Sequence, residues 1–265
     1  METNTLDTEG RINNLNSTVN KIETLEAEIE VEKLIAKEEI GGIFKEIERL
    51  QLDTENKNRF TEIEKCYANI EYFLEKAYFP DLSMTLNNLA NLQAGTGRYK
   101  EAEANYSEAL EIRRKLAETN PGVYLPRQAE TMYNLAVLQV NTGRYEEAEG
   151  TYTETLELVP KLAESYPGTY LPFLTMILNN LADLQAGTGR YKEAEANYSE
   201  TLKISRKLAE INPEEYLPDL ATLLINLAVI QNKTGNEKDA QKNYAEALEI
   251  RKTLEEKNPE DRTNA

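Results

Sequence analysis

The chain has 265 residues, 40% hydrophobic and 29% charged, a balance that excludes both a disordered tail and a membrane-embedded protein. Its 47 acidic and 30 basic residues leave a net charge of −17, which repels nucleic acid and anionic lipid. Histidine is absent and Cys66 is the only cysteine, which excludes disulfides, Cys/His zinc sites and any mechanism that needs an imidazole. METNTLDTEG lacks the basic and apolar regions of a secretory signal, so a cytoplasmic location is expected.

Residues 1–34 are predicted to be helical. Ile12, Leu15, Val19 and Ile22 keep the alternating three- and four-residue spacing of a coiled-coil seam. Glu26 interrupts the seam, with Leu25 beside it, and Ile29 restores it. So short a seam predicts weak homo-oligomerisation at most. Three roles stay open for it: self-association, docking into a groove of the same chain, or capture of a partner's helix. Gly41-Gly42 is expected to end or bend the helix.

Residues 35–78 echo a 46-residue register that is plain further along. Phe60, Glu62 and Ile70 stand 46 residues before Tyr106, Glu108 and Leu116, so residues 58–78 read as a second helix. Ile40, Ile43 and Ile47 precede Leu86, Leu89 and Gln93 by the same interval and suggest a degenerate first helix. Gln51 stands where a signature glycine would be, and the segment is expected to be a diverged capping repeat. Cys66 is expected to be a small core residue of its second helix.

Residues 79–259 hold four units, about 81–126, 127–172, 173–218 and 219–259, with 260–265 a tail. Gly97, Gly143, Gly189 and Gly235 are each 46 apart, as are Asn88, Asn134, Asn180 and Asn226. Units one and three match at 36 of 46 positions, units one and two at only 26, so a two-unit block was duplicated last. In unit one, Leu86, Leu89, Ala90 and Gln93 mark one face of a first helix over about 81–95. Gly97 breaks it in a turn that calls for positive φ. Tyr99, Ala102, Tyr106, Ala109, Leu110, Ile112 and Leu116 mark a second helix over about 98–120. Asn-Pro ends that helix, and Tyr-Leu-Pro leads into the next. Pro160 falls inside the second helix of unit two, where a kink near Leu156 is expected. Glu237 stands where the inner units have Tyr99, Tyr145 and Tyr191, rings expected to pack on a neighbouring unit; a charge there suits the end of an array.

The residues Leu86, Asn88-Leu89-Ala90, Gly97, Tyr99, Ala102, Tyr106, Ala109 and Leu110, repeated through to Leu248, resemble the tetratricopeptide repeat family. The 46-residue unit is similar to the long-unit subgroup that includes kinesin light chains. The resemblance implies an all-α, right-handed superhelical solenoid of helix-turn-helix repeats. It also implies that the first helices line a concave groove that binds peptides. The groove residues so implied are Asn87, Asn88 and Asn91; Tyr133, Asn134 and Val137; Asn179, Asn180 and Asp183; and Ile225, Asn226 and Val229. An asparagine amide both donates and accepts, so a ladder of them can pair with a peptide backbone of any sequence. The alternative role for that ladder is to tie adjacent helices together.

No catalytic constellation emerges. Pairs such as Glu101 with Glu103 fall on solvent faces, where no apolar pocket shifts a pKa. Ala-Gly-Thr-Gly-Arg at 94–98 follows a helix instead of a strand and lacks the lysine of a phosphate loop. The acidic clusters lack the spacing of a calcium site. Neither cofactor nor metal is expected. The predicted function is a non-enzymatic protein-interaction scaffold, its partner a neutral to basic, partly hydrophobic protein or peptide. The second reading is an autoinhibited adaptor of an effector enzyme, with the N-terminal segment in the groove or joining two copies.

Overall fold

The computed structural model describes the backbone of residues 2–53 and 58–257, and side chains from Ser17 onward within them. The described residues form ten α-helices and no strand, and they fall into two compact units, Met1–Leu138 and Gln139–Ala265.

The first unit begins with α1 (Glu2–Leu52), a helix that runs uninterrupted through Gly41 and Gly42, where the sequence suggested an end or a bend. With α2 (Arg59–Phe73) it forms a hairpin. A π-helical turn, Leu74–Tyr78, leads directly into α3 (Phe79–Gly95), followed by α4 (Tyr99–Thr119) and α5 (Pro121–Asn141), which the unit boundary crosses. Residues 58–78 are therefore helical, yet α2 buries no side chain, and Phe60, aligned with the buried Tyr106, is exposed. Cys66 is half-buried.

The apolar face of α3 is covered by α1. Ile22 and Ile29, with Leu25 beside them, share a core with Leu82, Leu86, Leu89, Ala109, Ile112 and Leu116. The predicted seam is thus only partly the real one. Val19 is exposed, Glu26 pairs with Arg98 at 3.0 Å, and the buried line continues through Glu32 to Ala36. Ile12 and Leu15 lie outside the described side chains. With Glu26 beside Arg98 and Glu32 beside Thr85, α1 runs antiparallel to α3.

The second unit contains α6 (Tyr145–Ser165), α7 (Pro167–Gly187), α8 (Tyr191–Ile211), α9 (Pro213–Thr234) and α10 (Glu237–Lys257) as antiparallel neighbours. Ala182, Ala194, Tyr198, Leu223, Leu227 and Ile230 make one core, and Ala209, Leu220, Leu224 and Ala247 another. Pro160 sits within α6 without ending it, at the cost of the hydrogen bond to Leu156.

Two boundaries differ from expectation. The first helices of the later repeats begin at Pro121, Pro167 and Pro213, so Tyr-Leu-Pro lies inside them and Pro126, Pro172 and Pro218 are tolerated one turn in. Proline suits the first helical position because its missing N–H would have had no intrahelical partner there. Tyr99, Tyr145 and Tyr191, expected to pack on neighbours, keep 36–48% of their surface exposed, so Glu237 replaces a rim residue and not a core one.

Each first helix closes on its glycine. Gly97, Gly143, Gly189 and Gly235 have φ of 77–86°, the left-handed region that other residues enter at a cost. The N–H of the residue after each glycine reaches back to the carbonyls of Gln93, Gln139, Gln185 and Gln231 at 2.7–2.9 Å, the Schellman pattern.

Candidate functional site

The glutamines that receive those backbone bonds also carry the main polar tie within each repeat. Gln93 Oε1 accepts from Asn105 Nδ2 at 2.8 Å, Gln185 from Asn197 at 2.7 Å and Gln231 from Asn243 at 2.8 Å, while Gln139 accepts from the Thr151 hydroxyl at 2.9 Å. All four glutamines are buried. In the sequence the glutamines recur every 46 residues on an apolar helical stripe, and that spacing marks a helix face without revealing the bond each one makes.

The predicted groove residues separate into engaged and available groups. In the first unit, Asn87 is buried and its Oδ1 lies 3.1 Å from the Thr131 hydroxyl of α5, which brings α3 and α5 together. Thr131 in turn accepts from Arg113, a buried guanidinium that also donates to the Arg127 carbonyl at 2.7 Å and whose Nε has no partner among the described residues. Burial pulls the Arg113 pKa down to about 10, since no carboxylate pairs with it directly. Asn91 accepts from the Tyr106 hydroxyl at 2.6 Å. Burial pushes that phenol up to about 12.

The second unit uses an acid in the equivalent place. Asp183 accepts from the Tyr198 hydroxyl and, through its other oxygen, from Asn179 Nδ2 at 3.1 Å. Partial desolvation raises the Asp183 pKa, and the Tyr198 hydrogen bond works against that rise. Tyr198 is pushed well above an ordinary phenol by burial and by the adjacent carboxylate. Asn87, Asn91, Asn179 and Asp183 are therefore already bonded within the protein.

Three asparagines make no such bond. Asn88 is exposed; Asn134 and Asn226 are half-buried; none of the three makes a side-chain hydrogen bond among the described residues. Tyr133, Val137, Asn180 and Ile225 are half-buried, and Val229 is exposed. Within the first unit Asn88 and Asn134 stand on neighbouring first helices, as do Asn180 and Asn226 within the second. Helix α1 does not cover Asn88. A cleft of about 660 Å³ opens between them, lined by Ser17, Asn20, Lys21, Thr24, Leu25, Asn88 and Leu92. No group of three or more Cys, Asp or Glu side chains among the described residues could hold a metal ion, and no described helix is long and apolar enough to cross a membrane.

Comparison with known proteins agrees with this architecture. Residues 81–161, 128–207 and 221–254 match models described as tetratricopeptide repeat. No curated protein sequence matches the chain. Among solved structures, BtubC (BKLC) from P. vanneervenii is similar at 22% identity over 89% of this chain and 92% of that one, with a TM-score of 0.57. A putative kinesin light chain from Podospora anserina with nearly identical repeats is similar at 17% identity, over 89% and 98%, with a TM-score of 0.54. The apo form of RapI is similar at 15% identity, over 82% and 72%, with a TM-score of 0.54. At these identities the likeness is one of fold.

Proposed function

Because the chain belongs to the tetratricopeptide repeat family, whose repeats typically mediate protein–protein interactions and are usually non-catalytic, we propose that it is an interaction scaffold whose first helices hold a segment of a partner protein. The observation that carries this reading is the idle amides of Asn88, Asn134 and Asn226. A helix-tying role would need them bonded; instead the ties are made by the glutamines and by Asn87. Within each unit the idle amides pair with a ligand backbone, with Tyr133 and Val137 beside Asn134 in the first and Ile225 and Val229 beside Asn226 in the second supplying apolar contact. Such a surface takes a neutral to basic, partly hydrophobic segment.

The position of α1 bears on the autoinhibited alternative. Residues 22–32 pack on the flank of α3 formed by Leu82, Leu86 and Leu89 and leave Asn88 exposed. The scaffold reading is therefore the stronger. Its test is selection of binders from a displayed random-peptide library on the full chain, followed by titration against an Asn134→Ala, Asn226→Ala variant. Selected peptides should lose at least about tenfold in affinity, as expected when central polar anchors are removed. Equal affinity for the variant would remove the asparagines from the mechanism.

A further inference from the structure

Helix α1 packs on α3 where the second helix of a preceding repeat would pack. In the second unit, two residues that follow a turn glycine are tied to an acid on the second helix of the preceding repeat: Arg190 to Glu149 at 2.7 Å, Asn236 to Glu195 at 2.7 Å. Arg98, at the same register, is tied to Glu26 of α1. Aligning Glu26 with Glu195 sets Leu25 on Ala194 and Ile29 on Tyr198, all core residues or packed against the core. The same alignment sets Glu28 on Asn197, which bonds Gln185 of α7, and Ile35 on Ile204, one heptad further along that face. Ile204 is 9% exposed, but Ile35 is 51% exposed.

The difference is that no first helix among the described residues lies beside α1 and α3 as α7 lies beside α8. In the second unit α7 packs against α8 and α8 against α9, and Ile230 of α9 is buried in one cluster with Ala182 of α7. Leu92, at the register of Ile230, is only half-buried, and Asn88 beside it is exposed. The place that a first helix would fill is the cleft between α1 and α3. It continues along α1 as a second opening of about 740 Å³ past Thr24, Ala27, Glu28 and Val31.

We propose that this cleft docks one amphipathic helix of a partner protein, seated antiparallel to α1 as α7 is to α8, with a lysine or arginine opposite Glu28. The basic residue follows from charge. Where Asn197 donates to Gln185, Glu28 can only accept, and Glu23 and Glu28 make no ion pair among the described residues. A second copy of the chain fits less well, because its first helices α3, α7 and α9 are already packed and two molecules of −17 repel. The site is separate from the asparagine surface, sharing only Asn88 with it.

The probe is the helix that fills the equivalent place, a synthetic peptide of residues 167–187 with blocked ends, titrated against the full chain. Saturable one-to-one binding is expected. A Val31→Glu, Ile35→Glu variant, altered at two exposed positions that leave the fold intact, should weaken it at least about tenfold. Leu248→Glu, equally exposed but on α10, and the Asn134→Ala, Asn226→Ala variant should bind as the unaltered chain does. Replacing Gln185 of the peptide by lysine should tighten binding at least about threefold, and Glu28→Gln in the protein should abolish that gain. The proposal is overturned by no saturable binding up to about 1 mM peptide. It is equally overturned by binding that the α1 variant leaves unchanged, or by a lysine peptide that gains nothing.

Discussion

Tyr152 and Tyr244 occupy one register position in two surroundings, and their contrast measures how the repeats share stability. Tyr152 is 1% exposed, whereas Tyr244, in the last repeat, is 37% exposed. Tyr152→Ala should cost about 3–5 kcal/mol, as a large aromatic removed from a close-packed core. Tyr244→Ala should cost clearly less; equal losses in denaturant melts would contradict a linear array. The buried glutamines give a second residue-scale expectation. Gln231→Ala strips buried Asn243 of its acceptor and should cost about 1–3 kcal/mol, the penalty of an unsatisfied buried donor. No measurable loss would mean that solvent replaces the tie. The tyrosines, glycines and core alanines of the repeat were legible from their 46-residue spacing. The glutamines were not, because a polar residue on an apolar helical stripe looks the same whether it bonds within its repeat or faces a ligand.

At the scale of elements, the repeats fixed the helix pairs, while the N-terminal third depended on packing that no register could reveal. A shift by 46 residues points to residues 58–78 as the neighbour of α3. The neighbour is α1, whose Ile22, Leu25 and Ile29 fit the apolar face of Leu82, Leu86 and Leu89 better than the polar α2 does. That seam carries a weak point. Glu32 lies in it with one oxygen 3.3 Å from the Thr85 hydroxyl and the other buried without a partner among the described residues. Around it are Thr85 and Asp81 of α3, Glu28 of α1 itself, and Tyr78 of the π-turn. Burial raises its pKa, partly countered by Thr85 and reinforced by Asp81 and Glu28. The folded chain thus holds this proton more tightly than the unfolded one. The packing of α1 is therefore weakest at neutral pH and strengthens as pH falls through the raised value. Glu32→Gln should raise the melting temperature by roughly 1–4 °C at pH 7, and the gain should shrink toward pH 4. A gain that grows on acidification would contradict this. Glu149 has the opposite sign: Arg190 holds its pKa low, so its contribution is lost as pH falls.

For the whole molecule, charge and contact divide between the two kinds of helix. The second helices expose Glu101, Glu108, Glu111 and others like them, whereas α3, α7 and α9 carry few acids. On the proposed scaffold role, this acidity would speed encounter with a basic partner, while the first helices would set how long it stays. Association with a library-selected peptide of positive charge should slow as salt rises while dissociation barely changes; an association rate indifferent to salt would reduce the acidity to a solubility device. Where the ligand lies is tested most directly by amide hydrogen exchange of the full chain with and without such a peptide. Our account predicts slowed exchange concentrated in α3, α5, α7 and α9, around Asn88, Asn134, Asn180 and Asn226. Protection confined to the second helices α4, α6, α8 and α10 would contradict it.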